Sequence, residues 1–450
     1  MILPKLLRLK LIQLVKSKLI FFLSFFLLSC FGPVKELKYQ IEDSWDDNPS
    51  YASNPKPLKD NFDNKISISI HLNGSFSNEI KRNLFISSED DLIFSPSSID
   101  EISALNINNF GNSWIYSHDK KITSGLVIKN KKLFFVDYDG YLISLSSQGN
   151  LEWKSFVGEV YSPPLSFNNS IVVKTTNNKF ISLNTQDGSV QWFYQSPVSP
   201  LPIRSWGEMN FSNGVIYSGI SSGKVLAINA NNGLLVWESS YSPPKGVTEI
   251  ERSNDTTSKV VVDEYALYVV SSDGDLSAIS IIDGSILWKR PFSSFAGLTM
   301  HENYLYITHN SGSIYCIDKN TQKVIWRNAD LMGRDVSRGF IYQNQLIVSD
   351  YEGYLHFINL STGIIDAQLK ISNNIVLEPL LINQIDKLFF MSISGDYVLI
   401  SVDLSNIKDS LPAKIEELKD IGAYKNNEES EIKPKNSDEE SILDQLIFWD

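Results

Sequence analysis

The sequence predicts an all-β fold, an eight-bladed β-propeller of four-stranded antiparallel blades closed by an N-terminal strand. Three observations carry this expectation: a recurring strand–turn–strand phrase, a tryptophan that closes most copies of it, and a spare strand ahead of the first copy. The phrase reads "GYLISLSSQGNLEWKS" from Gly140 to Ser155, "GKVLAINANNGLLVWES" from Gly223 to Ser239 and "GDLSAISIIDGSILWKR" from Gly274 to Arg290. In each, a glycine turn leads into an alternating apolar strand, and a second Gly-containing turn leads into the strand that holds the tryptophan. Trp114, Trp153, Trp192, Trp237, Trp288 and Trp326 follow one another at gaps of 39, 39, 45, 51 and 38 residues. A period near 40 with hairpin content is the signature of propeller blades. Between Phe94 and Leu404 there is almost no helical period.

A seventh copy, "GYLHFINLSTGIIDAQ" (Gly353 to Gln368), reads as one in which Asp366 replaces the tryptophan. An eighth begins at "GDYVLISVDL" (Gly395 to Leu404) and lacks its last strand. An open propeller would leave unpaired edges. The alternating segment "ISISIHL", with Ile66, Ile68, Ile70 and Leu72 on one face, is the strand expected to complete the last blade and close the ring. The tryptophans are expected at the outer strand of each blade, wedged against the next blade. Each buries a large apolar area and has one N–H to satisfy, and the preceding glycine lets backbones approach.

The regions around the ring differ in texture. Lys5, Arg8, Lys10, Lys16 and Lys18 precede "LIFFLSFFLL" (Leu19 to Leu28), an uncharged run that reads as a signal-peptide core. It ends in "LLSC", Leu27 to Cys30, which resembles the bacterial lipoprotein cleavage box. That resemblance implies removal of residues 1–29 and acylation of Cys30 with chains such as palmitate, a firm anchor. Phe31 follows, not the aspartate that retains such proteins in the inner membrane, so delivery to the outer membrane is expected. Residues 30–64 are polar and proline-bearing and read as a tether; residues 65–405 are the propeller. Residues 406–450 carry twelve acidic and six basic side chains and read as an acidic, largely disordered tail. Its last stretch, "ILDQLIFWD", is apolar.

Charge and composition exclude several functions. The net charge is −12 over 450 residues, so the basic face needed to neutralise phosphate is missing and no nucleic-acid partner is expected. Two cysteines, Cys30 and Cys316, rule out a disulfide scaffold and a Cys-rich metal site. His71, His118, His301, His309 and His356 show no metal spacing. "GISSG" (Gly219 to Gly223) matches a nucleophile elbow in letters, but that motif needs a strand-to-helix turn in an α/β sheet; here it falls in a hairpin. "DYDG" (Asp137 to Gly140), "SSDGD" (Ser271 to Asp275) and "DYEG" (Asp350 to Gly353) recur at one position of the repeat and read as turns rather than calcium loops. No catalytic residue, metal or cofactor is expected.

Two places break the repeat, and such departures are where function is usually grafted. One is "SPVSPLPIRSWGEM" (Ser196 to Met209), offering Leu201, Ile203 and Arg204. The other is "SPPKGVTEIERSNDTTSK" (Ser242 to Lys259), offering Glu249, Arg252 and Asp255. Both join consecutive blades on one face and should be neighbours. Apolar side chains with an arginine and a few charges suit a protein interface.

Two resemblances bear on function. The blade phrase resembles the repeats of quinoprotein dehydrogenases, which implies a quinone cofactor, a vicinal disulfide and a catalytic Asp; this chain has no Cys-Cys pair and no candidate ligand set. More specific are the lipoprotein box, the eight-blade ring, "TEIER…DTT…VVV", "DGDLSAISIIDGSILWKR" and "SDYEGYLHFIN" in this order. Over about residues 20–404 the chain resembles the propeller lipoproteins of the outer-membrane β-barrel assembly machinery, the BamB family. The resemblance implies a non-enzymatic scaffold on the periplasmic side of the outer membrane, held there by its lipid anchor. It implies binding to the POTRA domains of the central barrel subunit and assistance to unfolded outer-membrane proteins. "LPIR" matches the family's apolar-x-apolar-Arg element at Leu201, Ile203 and Arg204. Where the family has Asp-x-Asp before a Thr pair, this chain has one aspartate, Asp255, after Asn254. The rival readings are an envelope propeller lipoprotein that binds polysaccharide through funnel aromatics, and the quinoprotein dehydrogenase.

Overall fold

A computed structural model describes residues 55–58, 62–75, 86–97, 99–108, 111–197, 207–221, 223–243, 256, 258–272 and 274–405. Cys30, the expected signal peptide and the acidic tail lie outside them. The described residues form eight four-stranded antiparallel sheets. Blades 1 to 7 span 87–117, 127–156, 165–195, 210–240, 261–291, 297–328 and 340–370. Each runs from an inner strand to an outer one in chain order. Blade 8 takes three strands from 380–403 and its outer strand from Ser67–Ser75, which pairs antiparallel with Asp396–Asp403. The ring is thus closed as the sequence predicts, by joining the two ends of the fold in one sheet, but the four apolar residues of this strand do not share one face. A register shift between Ile70 and Leu72 turns Leu72 towards the blade 1 side, while Ile66 and Ile68 pack on the blade 7 side and Ile70 is exposed.

Burial follows position within the blade. Second and third strands, such as Lys132–Val136 and Tyr141–Ser146, are nearly continuous buried runs because a neighbouring blade covers both faces. Outer strands such as Leu151–Phe156 alternate, with their outward residues in water. The core is therefore a ring of inter-blade layers. Tyr217, Val225, Ala227 and Trp237 of blade 4, for example, pack with Leu267, Val269 and Ile279 of blade 5.

The tryptophans sit at the outer strands and repeat one contact. Each indole N–H donates to a carbonyl of the next blade: Trp114 to Ser147, Trp153 to Thr185, Trp192 to Ala230, Trp237 to Ile281, Trp288 to Lys319 and Trp326 to Leu360, at 2.8–3.2 Å. Gly149, Gly188, Gly233, Gly284 and Gly363, in the turn before the outer strand, share a role the sequence did not suggest. Each receives the tryptophan of the preceding blade. A Cβ on Gly233 would lie 2.5 Å from the Trp192 ring, and one on Gly284 2.7 Å from Trp237.

Blade 7 corrects the reading of Asp366. Register pairs Phe357 with Ala367 and Ile358 with Ile365, which leaves Asp366 as a bulged residue. Ala367 occupies the tryptophan position. In blade 4 the equivalent pair is Ala227 with Trp237, so in blade 7 the bulk has moved to the facing strand. Asp366, buried, accepts bonds from Gln345 Nε2 at 3.1 Å, Asn359 Nδ2 at 3.2 Å and Lys65 Nζ at 3.3 Å.

The end of the segment read as a tether lies on this blade. Lys65 N–H donates to the Asp366 carbonyl at 2.8 Å. The Asn64 side chain accepts from Gln368 N–H at 2.9 Å and donates to its carbonyl at 3.4 Å, as a strand residue would. Leu58 and Phe62 pack against the cluster of Tyr306, Trp326 and Leu346. Arg334, buried, donates to the Lys56 carbonyl at 3.1 Å.

Candidate partner-binding site

Hydrogen bonds between turns define two faces of the ring. Connectors between blades meet the turns between second and third strands: Ser196 N–H donates to Asn178 O, and Tyr241 and Ser242 N–H to Gly223 O. Turns after the third strand meet turns after the first on the opposite face, as Ala230 N–H does with Gly214 O. Both insertions are connectors, 3 to 4 and 4 to 5, so they rise from one face on adjoining blades. The residues singled out in them, Leu201, Ile203 and Arg204, and Glu249, Arg252 and Asp255, lie outside the described residues. What the structure describes is the ground on which both insertions stand.

That ground is polar and densely bonded. At the start of the first insertion, Asn178 Nδ2 donates to Pro197 O at 3.3 Å and to Ser221 Oγ at 2.9 Å. At its end, Lys174 Nζ donates to Gly207 O at 2.7 Å, and also to Gly219 O in blade 4 at 3.1 Å. Just ahead of the second insertion stands Tyr241, whose hydroxyl lies 2.7 Å from Thr256 Oγ1 near the insertion's end; both residues are fully buried. Thr256 rests on Gly219, where a Cβ would stand 2.2 Å from the threonine methyl. Nearby, Ser242 Oγ donates to Asp275 at 3.1 Å, and Lys289 pairs with the same carboxylate at 2.9 Å.

Towards the axis, charged side chains from four connectors meet. Glu208, closing the first insertion, pairs with Lys259, closing the second, at 3.4 Å. Arg338, ahead of blade 7, reaches Glu208 at 3.2 Å and Glu378, ahead of blade 8, at 2.5 Å. Burial pulls the Arg338 guanidinium down, but the two carboxylates outweigh it and hold it above its usual range. Alternating charges of opposite sign cross the ring here in partly desolvated surroundings, where such pairs act more strongly than on open surface.

Sequence reading missed these residues. Lys174 left one trace: it ends the apolar strand "SIVVK" where blades 2, 5 and 8 end theirs in Val136, Val270 and Met391. A lysine in a run of buried β-branched residues points to a buried ammonium with work to do. Arg338 left none, because its partners are remote in sequence.

The acidic turns behave as turn chemistry predicts. Asp137 accepts Tyr141 N–H at 2.8 Å, and Asp350 accepts Glu352 and Tyr354 N–H at 3.0 and 3.1 Å. Among the described residues, the large exposed aromatics are Tyr138, Phe156, Phe193, Tyr265 and Phe295. They lie on outer strands, in turns and in one connector, none on an inner strand.

The fold and this ground place the chain among known proteins. The family described as outer membrane protein assembly factor BamB matches residues 99–328, just over half of the chain. A protein of that name from Shewanella oneidensis is 29% identical over 285 residues, covering 63% of this chain and 72% of its own length. The crystal structure of BamB from Moraxella catarrhalis superposes with a TM-score of 0.66 at 20% identity, over 73% of this chain and all of that one. Quinohemoprotein alcohol dehydrogenase from Comamonas testosteroni shares the fold alone, with a TM-score of 0.61 at 10% identity over 74% of this chain and 76% of that one. The matched span runs from blade 1 to the end of blade 6 and takes in both insertions with their common base. By that match the chain belongs to the BamB family of outer membrane protein assembly factors.

Proposed function

We propose that this chain is a non-enzymatic scaffold of the outer-membrane protein assembly machinery. In this reading Cys30 is acylated and holds the propeller on the periplasmic side of the outer membrane. The two insertions, with Leu201, Ile203, Arg204, Glu249, Arg252 and Asp255, bind the POTRA domains of the central barrel subunit. The scaffold thereby aids insertion of β-barrel proteins, with contact to unfolded ones as a secondary role.

One observation carries the reading: the family match spans both insertions, and these spring from one face, with Glu208 and Lys259 joining their bases. In this reading the two insertions, based side by side, serve as one surface for a protein domain. The fold is shared with dehydrogenases and does not decide the matter. A quinoprotein mechanism calls for adjacent cysteines, and this chain's two stand far apart. Cys316 is buried in blade 6, where desolvation pushes its thiol up to about 12, far from a nucleophile's range. The polysaccharide reading rests on funnel aromatics, which the positions of Phe156, Phe193 and Tyr265 do not favour.

The test is a detergent pull-down from envelope membranes with tagged protein, wild type against Arg204→Glu. Capture of the large barrel subunit by wild type and its loss with Arg204→Glu supports both role and site. Equal capture by both keeps the role and removes Arg204 from the site. Failure to capture it at all overturns the proposal.

A further inference from the structure

We propose that Lys174 is a positioning residue that ties the bases of the two insertions to one backbone point, Gly219. The inference rests on the reading of the insertions as the partner-binding surface and deepens it.

Lys174 belongs to blade 3, yet its ammonium serves two other parts of the chain. It donates to Gly207 O, at the end of the first insertion, and to Gly219 O, on the second strand of blade 4. Its residue is only 6% exposed. An ammonium so buried must place its N–H donors on acceptors, since an unpaired one costs far more than an apolar side chain of equal length. The two carbonyls are therefore held at fixed positions relative to each other, with charge-assisted bonds.

Gly219 is also the seat of the second insertion. Its missing side chain leaves the space that the Thr256 methyl fills. Thr256 in turn meets the Tyr241 hydroxyl just ahead of the insertion's start. One chain of contacts thus runs from Gly207 through Lys174 and Gly219 to Thr256 and Tyr241. A shift of the Lys174 ammonium moves Gly219, and with it the surface on which Thr256 rests.

The experiment uses the mature full-length protein as wild type, Lys174→Met and Gly219→Ala. Methionine keeps the apolar stem and removes the charge. Alanine leaves Lys174 intact and pushes on Thr256 from below, which guards against Lys174→Met failing to fold. Hydrogen exchange is read at 207–209 and at 258–262. Affinity is read with the purified POTRA domains of the organism's own central barrel subunit. Expected in both variants is exchange about tenfold faster at both stretches, with blades 1 and 7 unchanged, as loss of a buried charged hydrogen bond implies. POTRA affinity should fall about tenfold in parallel. Faster exchange at 207–209 alone, or at neither, overturns the proposal, because a local contact would do no more than that. Loosened bases with undiminished POTRA affinity also overturn it. If wild type itself does not bind the POTRA domains, the partner reading fails, and exchange at the two stretches still decides whether Lys174 couples them.

Discussion

Arg338 and Glu208 pair at 3.2 Å from connectors that lead into blades 7 and 4, so the ring is braced across its interior as well as around its rim. Glu208 also holds Lys259, and Arg338 also holds Glu378. Removing the arginine leaves two carboxylates facing each other without their shared cation. Arg338→Met is expected to cost about 1–3 kcal/mol, the range for a partly buried charged hydrogen bond. Glu378→Gln, which keeps the Arg338–Glu208 pair, should cost less. Urea unfolding of the three proteins at neutral pH orders them.

The tryptophan contacts give a second expectation. Trp192→Phe keeps the ring stacked on Gly233 but loses the N–H bond to Ala230, a loss of about 1 kcal/mol. Trp192→Ala empties the site between blades 3 and 4, at about 3–5 kcal/mol. Gly233→Ala adds a Cβ 2.5 Å from the ring at a φ of +72°, and should destabilise by about 1–3 kcal/mol. Denaturant titration should rank Trp192→Ala worst, with Trp192→Phe and Gly233→Ala nearer wild type.

These contacts also show where sequence reading succeeds. The period of Trp114 to Trp326 and the alternation of "ISISIHL" are local signals, and they were enough to give blade number and closure. The seating of five tryptophans on glycines of the next blade is not legible, since residues such as Trp192 and Gly233 belong to different repeats. The true counterpart of the tryptophan in blade 7 is hidden for a related reason. A bulge adds one residue to the outer strand, and only pairing with Phe357 reveals that Ala367 is the counterpart. At the candidate site the insertions stood out by length, but Lys174, Glu208 and Arg338 act through partners that only the closed ring brings near.

The residues ahead of the closing strand supply blade 7 with outer-edge bonds. Asn64 mimics a strand neighbour for Gln368, and Lys65 binds Asp366 through main chain and side chain. Asn64→Ala combined with Lys65→Met should release this edge and leave the closing strand Ser67–Ser75 paired. Hydrogen exchange should quicken in Ile365–Lys370 and stay unchanged in Val190–Gln195, an outer strand far from these residues. Equal protection in both proteins would show that the two residues do not hold that edge.

Beneath that edge Asp350 takes bonds from Arg334 Nε at 2.8 Å and lies 2.9 Å from His356 Nε2, all three buried. Burial alone would raise its carboxyl, but the bonds from His356 and Arg334 outweigh this and hold it below the usual range. A carboxyl depressed in the fold contributes stability above its unfolded value and loses it as pH falls through the folded one. Asp350→Asn should therefore cost about 2–4 kcal/mol at pH 7. The gap to wild type should hold down to about pH 5 and narrow below about pH 4, where the unfolded carboxyl takes up its proton. Urea unfolding across that range checks both the size and the direction.

Blade 6 offers a test whose sign decides it. Ahead of their tryptophans, blades 2, 3, 4, 5 and 7 or their equivalents place a glycine at positive φ: Gly149, Gly188, Gly233, Gly284 and Gly363. Blade 6 places Gln322 there, at a φ of +62°. An L side chain in this region costs about 1–2 kcal/mol, whereas glycine costs about 0.5–1 kcal/mol of extra chain entropy on folding. Gln322→Gly should leave the carbonyl that accepts Arg290 at 2.6 Å and relieve the backbone of this turn. The difference favours the variant, by up to about 1 kcal/mol. A higher denaturant midpoint with an unchanged slope is the expected result. A lower midpoint would mean that the Gln322 side chain contributes more to the blade 5–6 contact than its backbone strain costs.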